Sequence, residues 1–130
     1  MTSEVFSYTL TVPSSAIDVR NHINNLAYLE WCLRAAEEHW EKNASTEIRN
    51  HYVWYVLHHS IDYKAAAFEG EELGVQTWVV SAEGVKSKRQ YRIYRTSDKK
   101  TLIEAKTLWC LLDAKTLRPA KIPEEIRNLF

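Results

Sequence analysis

Between Val53 and Leu112 the chain carries four strand-like runs in direct succession, with no helical stretch between them. The odd positions Val53, Tyr55, Leu57, Ile61 and Tyr63 form the first; Leu73, Val75 and Val79 mark the second, after an interruption at Gly70. Val85 to Arg95 and Leu102 to Leu112 are the last two, and Ser97-Asp98-Lys99-Lys100 between them reads as a hairpin turn. Parallel neighbours need a crossover of a dozen or more residues, usually a helix, so this succession predicts antiparallel pairing.

Two elements precede these runs. Phe6, Tyr8, Leu10 and Val12 alternate with Ser7, Thr9 and Thr11, the period of a strand with one buried face, and Pro13 closes it. From Asn24 to Asn43, Leu26, Leu29, Leu33, Ala36 and Trp40 recur every three or four residues, while Glu30, Arg34, Glu37, Glu38 and Glu41 fill other faces. That spacing predicts one helix of about five turns. Ser45 to Asn50 reads as a polar connection, and the C-terminal PEEIRNLF as a short helix with Pro123 near its first turn. The expected fold is α+β, one antiparallel sheet curled around one long helix.

A chain of 130 residues has room for one domain, residues 1–130, and can bury enough surface to fold without staples. Lys plus Arg and Asp plus Glu are both 17, so no global field draws the protein to nucleic acid or an anionic membrane. No run of apolar residues is long enough to span a bilayer, and the start has no basic region followed by an apolar one. The cytoplasm is the expected compartment. Cys32 and Cys110 belong to no CxxC pair and read as reduced thiols. His58 and His59 are adjacent in a strand and point to opposite faces, so they do not grip one metal; neither metal nor cofactor is expected.

The chemistry concentrates before the long helix, in AIDVRNHINNLAYLEW, residues 16–31. One Asn or Asp suffices to cap a helix. Asp18, Asn21, His22, Asn24 and Asn25 are more polar groups than capping requires, and a helix N-terminus with free N–H groups can hold an anion or oxyanion. Asp18 can supply a carboxylate, and His22 can orient water or donate. The bland reading is that Asp18 and Asn24 cap, Asn25 fixes the loop and His22 is structural.

These residues form the pattern DxxxHxNNxxYLxW, which resembles the acyl-CoA and acyl-ACP thioesterases of the hotdog fold, in the 4-hydroxybenzoyl-CoA thioesterase-like superfamily. The resemblance continues through IDYKAAAFEGEELGVQTWV and YRIYRTSDKKTLIEAKTLWCLLDAKTLRPAKIP and so covers nearly the whole chain. It implies a helix wrapped by a strongly curved sheet, and a homodimer or dimer of dimers in which two sheets join edge to edge. An active site is then expected at each helix N-terminus, facing the partner.

By the same resemblance Asp18 is the catalytic carboxylate, as nucleophile or as the base that activates water, with His22, Asn24 and Asn25 beside it. Two features of the plant acyl-ACP enzymes do not carry over: Arg20 stands where they have Asn, and Ala66 lies in the strand region where they carry an acid. Tyr28 is assigned to substrate. Lys88, Arg89 and Arg92, in a strand that also holds Lys86 and Arg95, are assigned to the phosphates of CoA, with edge-protecting charge as the alternative. The implied activity is hydrolysis of an acyl-CoA, or an acyl-ACP, to free acid and thiol. A non-catalytic acyl-CoA-binding protein and a cone-shaped isomerase or dehydratase are the rivals, and the opening strand FSYTLTV weighs against the latter.

Overall fold

The computed structural model describes residues 3–130. Its elements are β1 (Phe6–Thr11), α1 (Asn25–Asn43), α2 (Thr46–His51), β2 (Tyr52–Tyr63), β3 (Glu72–Glu83), β4 (Lys86–Arg95), β5 (Thr101–Asp113) and α3 (Glu124–Arg127). The strands form one five-stranded sheet in the order β1-β3-β4-β5-β2, antiparallel at every pairing. The α+β expectation holds, and the long helix falls where its periodicity placed it, with Asn24 as N-cap.

The sheet's inner face meets α1. Leu73, Val75 and Thr77 of β3 face Arg95, Ile93 and Tyr91 of β4 in register; Ile93 and Tyr91 in turn oppose Ile103 and Ala105 of β5. Most of these are fully buried, and each large apolar side chain contributes roughly 1.5–3 kcal/mol on burial. The helix meets them with small residues: Cys32 and Ala35 are fully buried and Ala36 nearly so. Small side chains let the helix backbone approach the sheet closely.

The buried stripe is therefore not the expected one. Tyr28, Cys32, Ala35, Ala36 and His39 face the sheet, whereas Leu26 is 64% exposed and Leu29, Leu33 and Trp40 are half-buried. The helix has two apolar faces, and periodicity alone does not choose between them.

Strand β2 departs from expectation in a second way. Its pairing with β5 slips between Val56 and His58, and this bulge reverses which residues face inward. Tyr52, Trp54 and Val56 face the core before it and His59 and Ile61 after it, leaving Val53, Tyr55 and Leu57 on the outside. The expected single odd-numbered face is thus split between two sides. The stretch expected as a polar connection holds the six-residue helix α2, capped by the Ser45 hydroxyl, which accepts from the Ile48 N–H at 3.1 Å.

Candidate active site

The segment from Ala16 to Asn24 closes on itself. The Asp18 N–H donates to the His22 carbonyl at 2.8 Å, the Asn24 N–H to the Ala16 carbonyl at 2.7 Å, and Ile17 bridges Ile23. Ala16 and Ile23 are buried and anchor the loop to the core. The chain reverses at Asn21, whose φ of 65° lies in the left-handed region that Asn tolerates better than other side chains.

Within this loop the Asp18 carboxylate is fixed by the backbone. Its Oδ1 accepts from the Arg20 N–H at 2.9 Å and the His22 N–H at 3.2 Å, while Oδ2 has no hydrogen bond among the described residues. The Arg20 N–H, then the His22 N–H, hold the carboxyl below its ordinary 3.8, so it is ionised at neutral pH. One oxygen orients the group and the other remains free to react.

The helix start is partly consumed by its own cap. Asn24 Oδ1 accepts from the Leu26 N–H at 2.8 Å and the Asn24 carbonyl accepts from the Ala27 N–H at 2.9 Å. Among the described residues this leaves the Asn25 N–H, in the first turn, without an acceptor. Asn24 is accordingly a cap. The side chains of His22 and Asn25 are exposed and make no hydrogen bond among the described residues.

The four residues assigned to substrate are not brought together. Tyr28 is 5% exposed and packs edge-on against Trp31 and Tyr63; burial raises its hydroxyl to about 12. It is a core residue in the single chain. Lys88 and Arg92 share the outer face of β4, whereas Arg89 points inward and is 6% exposed, because adjacent strand residues face opposite sides. Arg92 is also engaged, its Nε donating to Thr101 Oγ1 at 2.8 Å and its Nη2 to the Lys99 carbonyl at 3.0 Å. One joint phosphate grip by Lys88, Arg89 and Arg92 is therefore excluded.

A feature that sequence reasoning missed is a cavity of about 790 Å³ between the C-terminal half of α1 and β2, walled by Trp40, Trp54, Trp109 and Phe130. None of Asp18, His22, Asn24 or Asn25 lines it, so the loop lies open to solvent in the single chain. No sequence pattern encodes such a space, because its walls come from α1, β2, β5 and the C-terminus, which are distant in sequence.

A profile of the thioesterase-like superfamily matches residues 12–130. The chain belongs to that superfamily. Its fold, a curved antiparallel sheet wrapped around one long helix, is the hotdog fold of solved thioesterases. A 1,4-dihydroxy-2-naphthoyl-CoA thioesterase from Synechocystis superposes with a TM-score of 0.84 at 20% identity, over 97% of this chain and 95% of that one. A Staphylococcus aureus protein solved in complex with CoA gives 0.86 at 18% identity, over 99% of this chain and 83% of that one. A 12:0-ACP thioesterase from Umbellularia californica gives 0.81 at 18% identity, over 95% of this chain but 48% of that longer one. At these identities the likeness is one of fold. No curated protein matches the chain.

Proposed function

We propose that this member of the superfamily is an acyl-CoA thioesterase, hydrolysing an acyl thioester to the free acid and CoA with Asp18 as its carboxylate. The observation that carries the reading is the asymmetric fixing of Asp18, one oxygen held by two backbone N–H groups and the other free, in the loop that leads into the unspent Asn25 N–H at the start of α1. Superfamily membership supports the reaction class, and the CoA complex of the Staphylococcus aureus structure supports the carrier.

The chemistry follows from those groups. Asp18 Oδ2 either takes a proton from the water that attacks the thioester carbonyl carbon, or attacks that carbon itself and displaces the thiolate. The second course forms an acyl–aspartyl anhydride, whose C–O bond water then breaks to release the acid and restore the carboxylate. The carbonyl oxygen becomes an oxyanion, and the Asn25 N–H donates to it; one such donor contributes about 3 kcal/mol of transition-state stabilisation. The C–S bond breaks, the sulfur leaves as the thiol with a proton, and hydroxide from water ends on the acid. His22 orients the water.

The second wall of this site comes from a second copy of the chain. Strand β2 lies at the sheet edge with Val53, Tyr55 and Leu57 exposed, the arrangement that edge-to-edge pairing of two sheets covers. Residues 1–130 act as one domain on this reading. Cys32 and Cys110 are free and buried, which suits a reducing compartment, and we place the protein in the cytoplasm. No helix among the described residues is long and apolar enough to cross a membrane.

The test is thiol release from acyl-CoA and acyl-ACP of varied chain length, with Asp18→Asn as control. The variant keeps its fold by circular dichroism and loses about 10²–10⁴ in turnover. Near-full activity in the variant removes Asp18 from the mechanism, and intact thioester after long incubation with the wild type leaves a binding protein instead.

A further inference from the structure

None of the groups given a role in the reaction above lines the aromatic cavity. At about 790 Å³ it lies within the ~300–1,000 Å³ range of small-molecule sites. Glu37, Glu41, Arg49 and Arg127 also line it, and all but Arg49 are exposed side chains of the mouth. The deep charge is Arg89, 6% exposed, with its guanidinium 5.4 Å from the Phe130 ring.

Arg89 is only partly satisfied by the protein. Its Nη1 donates to His39 Nδ1 at 2.9 Å and to Thr77 Oγ1 at 3.2 Å. Because Nδ1 of His39 accepts, Nε2 carries the proton and donates to Glu4 Oε1 at 2.7 Å. A carboxylate thus compensates Arg89 only through an intervening neutral imidazole. No carboxylate forms an ion pair with Arg89 among the described residues, and its Nε and Nη2 find no acceptor there. A buried guanidinium with an unused donor edge beside a roomy apolar space matches one ligand chemistry: an apolar body ending in a carboxylate, which the fork of Arg binds in bidentate fashion.

We propose that this cavity binds an amphipathic carboxylate, its apolar body among Trp40, Trp54 and Trp109 and its carboxylate on the free edge of Arg89. Two sources carry that chemistry. One is a free long-chain acid, which stands apart from the hydrolase reading; the other is an acyl thioester with a distal carboxylate, which rests on it.

The experiment has two arms. In the first, dodecanoate and dodecan-1-ol are titrated into the wild-type protein and followed by fluorescence of the cavity tryptophans and by calorimetry. Dodecanoate binds at least about tenfold more tightly than the alcohol, as a charge-assisted pair requires. Arg89→Met abolishes that preference while still binding the alcohol. The wild-type comparison decides the matter by itself if that variant fails to fold. Asp18→Asn keeps the preference, which separates this site from catalysis.

In the second arm, kcat/KM for ω-carboxydodecanoyl-CoA is compared with that for dodecanoyl-CoA. A preference for the former identifies the thioester as the source, and a preference in the first arm alone identifies the free acid. Where no thioester is hydrolysed, the first arm alone decides. Equal binding of acid and alcohol, with no preference between the two thioesters, overturns the proposal.

Discussion

Replacing His39 by Phe isolates the relay that holds Arg89. The ring is fully buried, stacked on Phe6 at 5.4 Å and edge-on to Phe130 at 4.7 Å, so Phe keeps the packing and removes only the two hydrogen bonds. The two losses differ in size. Arg89 Nη1 loses one of its two acceptors and keeps Thr77 Oγ1, which costs about 1.5–3 kcal/mol for a charged, buried donor. Glu4 is 46% exposed and regains water, so its side adds at most about 1 kcal/mol. The sum is about 1.5–4 kcal/mol, measured by urea unfolding near neutral pH.

The pH dependence sharpens this test. Burial, opposed by the bond to Glu4 and reinforced by the charges of Arg89 and Lys42, holds the folded imidazole below its ordinary 6.5. The unfolded chain therefore takes up a proton near pH 6.5 that the folded chain refuses. Stability from this group is fully present above pH 6.5 and is lost as pH falls below it, by up to ~1.4 kcal/mol per unit, until the folded ring also protonates. His39→Phe lacks this component, so the stability gap between the two proteins narrows between about pH 7.5 and pH 5.5. His59, also lowered by burial, is present in both and cancels. A gap unchanged across that range, or a loss under about 0.5 kcal/mol at neutral pH, refutes the relay.

Two other positions yield predictions from local geometry. A Cβ at Gly74 would overlap the Tyr94 ring, and that ring is held beneath Arg92 at 4.6 Å; Gly74→Ala therefore costs about 1–3 kcal/mol in thermal or urea unfolding. Asn21 sits at φ 65°, so Asn21→Gly is neutral in stability to within about 0.5 kcal/mol, whereas Asn21→Val costs more than about 1 kcal/mol and lowers turnover by misplacing Asp18.

The element order was legible because each element advertises its own period, and succession without helices dictates antiparallel pairing. Residues 18–25 were legible as a surplus of polar groups over what one cap requires. What was hidden depends on partners distant in sequence. The β2 bulge arises from its pairing with β5, and no residue type between Val56 and His58 marks it. The inward turn of Arg89 against Lys88 was available from alternation but was obscured by treating basic residues as one group. Helix α2 offered only the Ser45 cap within a six-residue stretch.

The leucines that the core leaves unused connect the two halves of the protein. Leu26, Leu29 and Leu33 lie at spacings of three and four, hence on one face of α1, and Leu33 already lines the cavity. At 1.5 Å per residue, Leu33 stands about 12 Å along the axis from Asn25, and Trp40 about 22 Å. An acyl group whose carbonyl meets the Asn25 N–H would follow this stripe before entering the aromatic space. Bulk at its midpoint should then act as a ruler: Leu33→Trp lowers kcat/KM for dodecanoyl-CoA and longer chains by about tenfold while leaving butanoyl-CoA unaffected. A chain-length profile that keeps its shape in the variant would mean that the acyl group leaves the helix before Leu33, toward the second protomer, and that the catalytic loop and the cavity are independent sites.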